Sequence, residues 1–462
     1  MTPAAPLTFR FSPANDPYPT GSDARKASWG DLQLRASGRL LTRMEVDGAS
    51  LDAVRWYAEP VVSWLAHNLS AVFNEERLPH PIEEVTSASQ WFLRTARAPL
   101  LTEAEEERWF DERQDWWTRH ALRAGADGGV LPNVFFRRVG AWLECSWDNT
   151  HFAPSRRGMQ FVDREGVEFI DLTTAARAVS EFIASLPEAF RPSLTTEASD
   201  WARFALPSHV RTALRQDPRT LERLLARYTR LDLPFLPAAG APLGVLSDIP
   251  PEVSAGTVQE IARLLLRDPG ARHDGDALER IRSPRPPTTI DPWLSGYDRA
   301  LAVRRALRLG ETPVADMSGV LKSLGVATQS IDAEPQFEGA RTLRANGQAQ
   351  ILTNATGRLG QGPFALAREL GHLVMDAAPG GELGGVSSAW EPWVLSARAK
   401  AFAVMFLMPE DALRGRRLGN VDSAGLRQIA TEFHVSPRTA AWHLGNLRVI
   451  SEERRDELLQ NA

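Results

Sequence analysis

The stretch Pro363-Phe364-Ala365-Leu366-Ala367-Arg368-Glu369-Leu370-Gly371-His372-Leu373 decides how the C-terminal third of this 462-residue chain is read. Proline suits the first position of a helix, where its missing N–H has no partner to lose. The residues after it place apolar side chains three and four apart, which predicts an amphipathic helix starting at Pro363. Residues four apart on a helix share a face. Arg368 and His372 are therefore stacked on one side, with Glu369 beside them. A helix that carries histidine at both of those positions, and glutamate directly after the first, can hold Zn²⁺ and supply the general base that activates its water. Here the glutamate and the second histidine are in place, and arginine occupies the first position. Taken alone, Glu-Leu-Gly-His is a short pattern that an ordinary amphipathic helix can also carry.

The flanking segments enlarge the pattern. Upstream, Leu343 to Ala345 and Ala349 to Thr353 flank Asn346-Gly347, a strong hairpin signal. Tyr297 to Leu309 reads as a basic helix, and Thr312-Pro313 as the start of another that ends near Gly325. Downstream, Gly380-Gly381 and Gly384-Gly385 read as a flexible loop. Ser396 to Met408 reads as an apolar helix stopped by Pro409, and Ala424 to Leu447 as two short helices around His434-Val435-Ser436.

In this order, residues from about 300 to 450 resemble the ImmA/IrrE family of metallopeptidases. The resemblance is carried by Ile351-Leu352-Thr353-Asn354, by the Pro363–His372 helix, by Ala399-Lys400-Ala401-Phe402-Ala403-Val404-Met405-Phe406-Leu407-Met408-Pro409, and by Ile429-Ala430-Thr431-Glu432-Phe433-His434-Val435-Ser436. It implies a zincin-like domain with a helix-turn-helix-like end. In the family, Glu369 would be the general base and His372 a zinc ligand. Arg368 replaces the other histidine, and Ser396 or Arg398, depending on register, stands where a third, glutamate ligand is expected. Arginine offers no lone pair and stays charged, so it repels a cation and substitutes for part of its charge.

The expected reading is therefore a zinc-free pseudo-metallopeptidase, with Glu369 vestigial and Arg368 paired to Glu369 or another acid. No cofactor is expected. The resemblance implies a regulatory role, in stress response, mobile-element control or phage defence, acting on a protein or peptide partner. Two alternatives stay open. One is an active zinc metalloendopeptidase cleaving a regulator, in which Asp376, Glu382 or Glu391 supplies a ligand. Glu391 would do so if the Trp390-Glu391-Pro392-Trp393 loop folds inward. The other is a DNA-binding regulator using Arg438, with His443 and Arg448, on the second C-terminal helix.

The first 190 residues read as a tryptophan-rich mixed domain that matches no family we recognise. Nine of the 14 tryptophans precede residue 150. Trp56 to Ser70 reads as helix, Thr102-Glu103-Ala104-Glu105 as a capping-box start, and Val134 to Trp147 as two strands turning at Gly140. Phe161 to Ile170 reads as a hairpin, followed by a helix capped by Thr173. Residues 191–282 read as a helical connector interrupted by Pro234, Pro237, Pro242, Pro250 and Pro251. Ser283-Pro284-Arg285-Pro286-Pro287 reads as a linker before the 290–462 domain. The fold class expected is α+β, largely helical in its first part.

Charge and composition narrow the partners. Formal net charge is −5, which disfavours gripping nucleic acid through global charge. Arg299, Arg304, Arg305, Arg308, Arg341, Arg344 and Arg358 form a basic stretch that reads first as solvated face and second as a phosphate contact. His67, His80, His120 and His151 lack metal-ligand spacing. The single cysteine, Cys145, reads as a core residue, and a cytoplasmic protein without membrane span is expected.

Overall fold

The structure is a computed structural model. It describes residues 6–18, 21–80, 82–97, 99, 101–126, 130–151, 158–192, 206–228, 241–267, 276–344, 346–356, 362–377, 382–414, 416 and 418–460. Pro234, Pro237, Ala345, Arg358, Gly380 and Gly381 lie outside the described residues. The fold is α+β, with several small sheets among many helices. The chain divides into two compact units, Met1–Asp248 and Ile249–Ala462. No helix among the described residues is long and apolar enough to cross a membrane.

In the first unit, Trp29–Ala36 alternates buried and half-buried positions and pairs antiparallel with Leu7–Pro13 and Val54–Tyr57. Trp56 therefore lies in a strand, and the helix begins only at Ala58 and runs to Asn74. Val134–Val139 and Trp142–Asp148 form the expected antiparallel pair. The hairpin expected from Phe161 to Ile170 does not form. Glu165–Asp171 pairs instead with Trp142–Asp148, while Met159–Phe161 joins Met44–Val46 in another sheet. Packing explains the choice. Gly166 lies opposite Trp147, and a Cβ there would sit 2.3 Å from the indole, so the ring fits only against a residue without a side chain. The next helix, Leu172–Ser185, is capped by Asp171, whose carboxylate accepts from the Thr174 N–H, and not by Thr173.

The tryptophans mainly build core. Trp91, Trp116 and Trp147 are fully buried, and Trp116 stacks on His120 at 4.4 Å. On the Glu103–His120 helix the expected capping box is present, with the Glu105 carboxylate accepting from the Thr102 N–H. Cys145 is buried on the central strand, and burial pushes its thiol well above the usual range. Glu75 meets Arg119 and, at 3.1 Å, His120 Nε2. Burial alone would raise the Glu75 carboxyl, but Arg119 and His120 hold it at about 2. A depressed folded pKa contributes stability that is complete above the unfolded value, about 4.3, and is lost as pH falls through the folded one. Acid unfolding of this unit between about pH 4 and 2 is thus expected to lose much of its pH dependence in Glu75→Gln. Denaturant melts across that range test it, and an unchanged slope would count against it.

The second unit contains a four-stranded sheet ordered Val326–Ile331, Ala349–Asn354, Gly339–Leu343, Leu383–Ser387. The first pair is parallel and the others antiparallel. The Asn346-Gly347 hairpin is as expected, with Leu343 opposite Ala349. The preceding helix is shorter than its sequence suggested. It runs Met317–Ser323 and starts at Asp316, which caps Gly319 N–H, so Thr312-Pro313 lies before it. Gly384-Gly385 is not a loop but the middle of a fully buried strand.

The helices Pro292–Ala306, Pro363–Met375 and Trp393–Leu407 supply much of one continuous apolar core with the C-terminal helices. The proline run expected as a linker is tied down. Ser283 N–H donates to Val374 O at 3.0 Å and Arg285 N–H to Met375 O at 3.4 Å. These satisfy carbonyls at a helix C-terminus that otherwise lack partners.

Candidate functional site

The site helix is Pro363–Met375, and every residue from Ala367 to Met375 is buried. It carries Arg368, Glu369 and His372 into the interior, and Asp376 follows at its C-cap. Buried charge is costly unless paired, and each of these groups has an opposite partner. Arg368 reaches Glu369 Oε1 at 3.2 Å and Glu338 Oε2 at 2.5 Å. Glu369 Oε1 also accepts from Ser387 Oγ at 2.6 Å. His372 Nδ1 lies 2.6 Å from Asp376 Oδ2, and Arg398 Nη2 lies 2.6 Å from Asp376 Oδ1.

The remaining members arrive from the sheet and from the turn after it. Arg341, on a central strand, is 1% exposed and donates to Ser387 Oγ at 3.1 Å. It reaches Glu369 Oε2 at 3.6 Å and Glu391 Oε1 at 2.9 Å. The Trp390-to-Trp393 turn does fold inward: the Glu391 side chain is 1% exposed, and its Oε1 stands 3.2 Å from His372 Nε2. Both Glu391 oxygens are shielded from water, and neither contact is aligned as a hydrogen bond. Asn354 supports the cluster from behind. Its amide donates to Phe337 O at 2.8 Å and its oxygen accepts from Ala333 N–H at 3.2 Å, which fixes the loop that delivers Glu338.

The electrostatics follow from this arrangement. Burial alone would raise the Glu369 carboxyl, but Arg368, then Arg341, hold it below the ordinary carboxylate range. Burial would likewise raise Asp376, and Arg398 together with His372 outweighs it. Burial opposes the charge on Arg368, yet Glu369, Glu338 and Glu391 raise its pKa above the usual value.

As a zinc site, this donor set fits poorly. A catalytic zinc needs three protein ligands and an open position. His372 Nε2, Glu391 and Glu369 converge, but the Arg341 and Arg368 guanidiniums already contact both carboxylates. Two fixed positive charges at those distances oppose a divalent cation. Among the described residues, no group of three or more histidine, cysteine, aspartate or glutamate side chains is arranged to hold a metal.

Of the residues expected to substitute for ligands, Arg368 lies in the cluster beside Glu369. Arg398 binds Asp376 and Arg285 O, behind the histidine and not in front of it. Ser396 is buried on the Trp393–Leu407 helix, and no pairing with the cluster is among its described contacts. Glu391, six residues after Gly385, is the carboxylate that reaches His372 Nε2. Two members escaped the sequence. Glu338 carried no signal, and Arg341 was read within a basic surface stretch. Part of that stretch is internal: Arg304 is buried and donates to Phe406, Gly310 and Thr312 carbonyls, and Arg344 donates to Leu265 and Arg267 carbonyls, while Arg305 and Arg308 stay exposed on their solvated face.

Arg438 lies exposed on the second C-terminal helix, Pro437–Asn446. His443 of that helix is buried, with Nδ1 2.7 Å from Tyr297 Oη and Nε2 2.9 Å from Met408 O, and burial pushes it down to about 4. It is a neutral packing residue, and this helix is docked onto its own unit by that face.

A glutamate and a histidine on a buried helix, beside a small mixed sheet and followed by a long apolar helix, make the frame of a metallopeptidase-like domain. Comparison with known families agrees, since residues 321–444 match the IrrE N-terminal-like domain. No curated protein matches the chain.

Proposed function

We propose that the second unit is a zinc-free pseudo-metallopeptidase with a regulatory or protein-interaction role. The observation that carries this reading is Arg368. Its guanidinium occupies the histidine position of the metal-binding pattern, is buried, and pairs with the would-be general base Glu369 and with Glu338. The residues that would act on a metal-bound water are instead charge partners of two arginines. Metal analysis of the purified full chain is expected to find zinc far below one equivalent, and Glu369→Gln to leave any peptide hydrolysis unchanged. Stoichiometric zinc, lost together with hydrolysis in Glu369→Gln, would overturn the proposal.

One observation favours the working zinc endopeptidase as second reading. Asp376 on His372 Nδ1 leaves Nε2 facing Glu391, which is how a carboxylate orients a metal-binding histidine. The same metal analysis decides between them. A DNA-binding role for Arg438 predicts affinity that falls steeply with salt and is lost in Arg438→Ala.

A further inference from the structure

The segment Leu383–Glu391 lies along the sheet edge in the way an added peptide strand would. It adds an edge strand antiparallel to Gly339–Leu343, with Gly339 opposite Ser387, Arg341 opposite Gly385 and Leu343 opposite Leu383. Addition of an extended strand to a sheet edge is a common way for proteins to hold peptides. The strand is almost without side chains where it crosses Arg341. A Cβ on Gly385 would stand 2.8 Å from Arg341 Nη2, so a larger residue there would push the guanidinium out. The segment then turns, with Glu391 N–H donating to Ser388 O, and places the Glu391 carboxylate between Arg341 and His372. That carboxylate is sealed from water yet has no aligned hydrogen bond. A buried carboxylate held by charge without aligned hydrogen bonds is less fully compensated than one that has them.

We propose that Leu383–Glu391 is an internal, displaceable ligand. It fills an extended-peptide site whose natural occupant is a partner protein's segment with a glycine opposite Arg341 and an acidic side chain reaching Arg341 and His372. The proposal rests on the protein-interaction role argued above and names its partner chemistry. While the segment is seated, its own Ser387 hydroxyl accepts from Arg341 and donates to Glu369, and Arg341 faces Glu369 beneath it. Displacement frees the edge of Gly339–Leu343 and the cationic seat together.

The test uses the full chain and a fluorescein-labelled synthetic peptide of residues 382–392. Hydrogen exchange comes first. Glu391→Gln is expected to speed exchange of the Leu383–Ser387 amides at least tenfold while leaving Leu7–Pro13, in the other unit, unchanged. Gly385→Ala, which disturbs the seat from the strand side, is expected to do the same, and covers the case in which Glu391→Gln fails to fold. Fluorescence anisotropy comes second. The peptide is expected to bind Glu391→Gln at least tenfold more tightly than the wild type. Binding is expected to vanish when the peptide carries valine in place of the glycine matching Gly385. Equal exchange in variant and wild-type proteins, or equal peptide affinity for both, would show the strand to be permanent framework and overturn the proposal. Zinc content is measured on the same preparations, so failure of the zinc-free reading is seen separately.

Discussion

Replacing Arg368 with histidine is expected to convert the cluster into a zinc site. The substitution removes the buried guanidinium that pairs with Glu369 and Glu338. It supplies an imidazole one helical turn before His372, on the same face. Glu391 already stands 3.2 Å from His372 Nε2, so two imidazoles and a carboxylate would converge, the three-ligand set that a catalytic zinc uses. Asp376 would orient His372 from behind, as carboxylates do for zinc-binding histidines. We expect a gain in zinc affinity of at least ~100-fold, since each properly placed first ligand outweighs the 10–100-fold typical of its supporting partners. After dialysis against trace zinc, Arg368→His should retain close to one equivalent and the wild type little. A variant that folds but stays empty would mean that Arg341, still 2.9 Å from Glu391, blocks the cation on its own. Arg368→His/Arg341→Ala then separates the two charges.

The second large effect belongs to stability. Arg398 donates through Nε and Nη2 to Asp376 Oδ1, at 3.0 and 2.6 Å, with both side chains buried. Arg398→Ala leaves Asp376 with His372 as its contacting side-chain partner and Arg341 at longer range. Breaking a buried pair by removing one partner typically costs about 3–5 kcal/mol. For a unit of this size that corresponds to a Tm lower by about 6–20 °C. The two compact units need not melt together, so the transition should be followed by hydrogen exchange in the Pro363–Met375 helix. Asp376→Ala combined with Arg398→Ala should lose less than the sum of the single changes, because the pair is then absent as a whole. Additive losses would indicate that the two residues act independently.

These two expectations draw on different depths of reading. The Pro363 helix and the shared face of Arg368 and His372 follow from local rules, and the structure has them as written. The Asn346-Gly347 hairpin and the helix pair around His434-Val435-Ser436 are equally local. Errors begin where the outcome depends on what a segment packs against. Gly384-Gly385 reads as a loop because glycine weakens strands, yet it is a strand because Arg341 needs the space. Glu165–Asp171 has a near neighbour to pair with but joins Trp142–Asp148, where Gly166 admits the Trp147 ring. Thr173 is a good cap by type, but Asp171, two residues earlier, sits at the N-cap and carries a charge for the helix end.

What the sequence determined by itself was the helix, the presence of Glu369 and His372 on it, and the replacement of a ligand by Arg368. Those facts depend on spacings of one to four residues, which the 3.6-residue turn converts directly into geometry. Only the tertiary structure decided which charges answer them. Glu338 and Arg341 come from 30 and 27 residues before Arg368, and Glu391 from 19 residues after His372. No local period links such positions. They meet because an ion taken out of water must find an opposite charge, and the path of the sheet and its turns settles which one it finds.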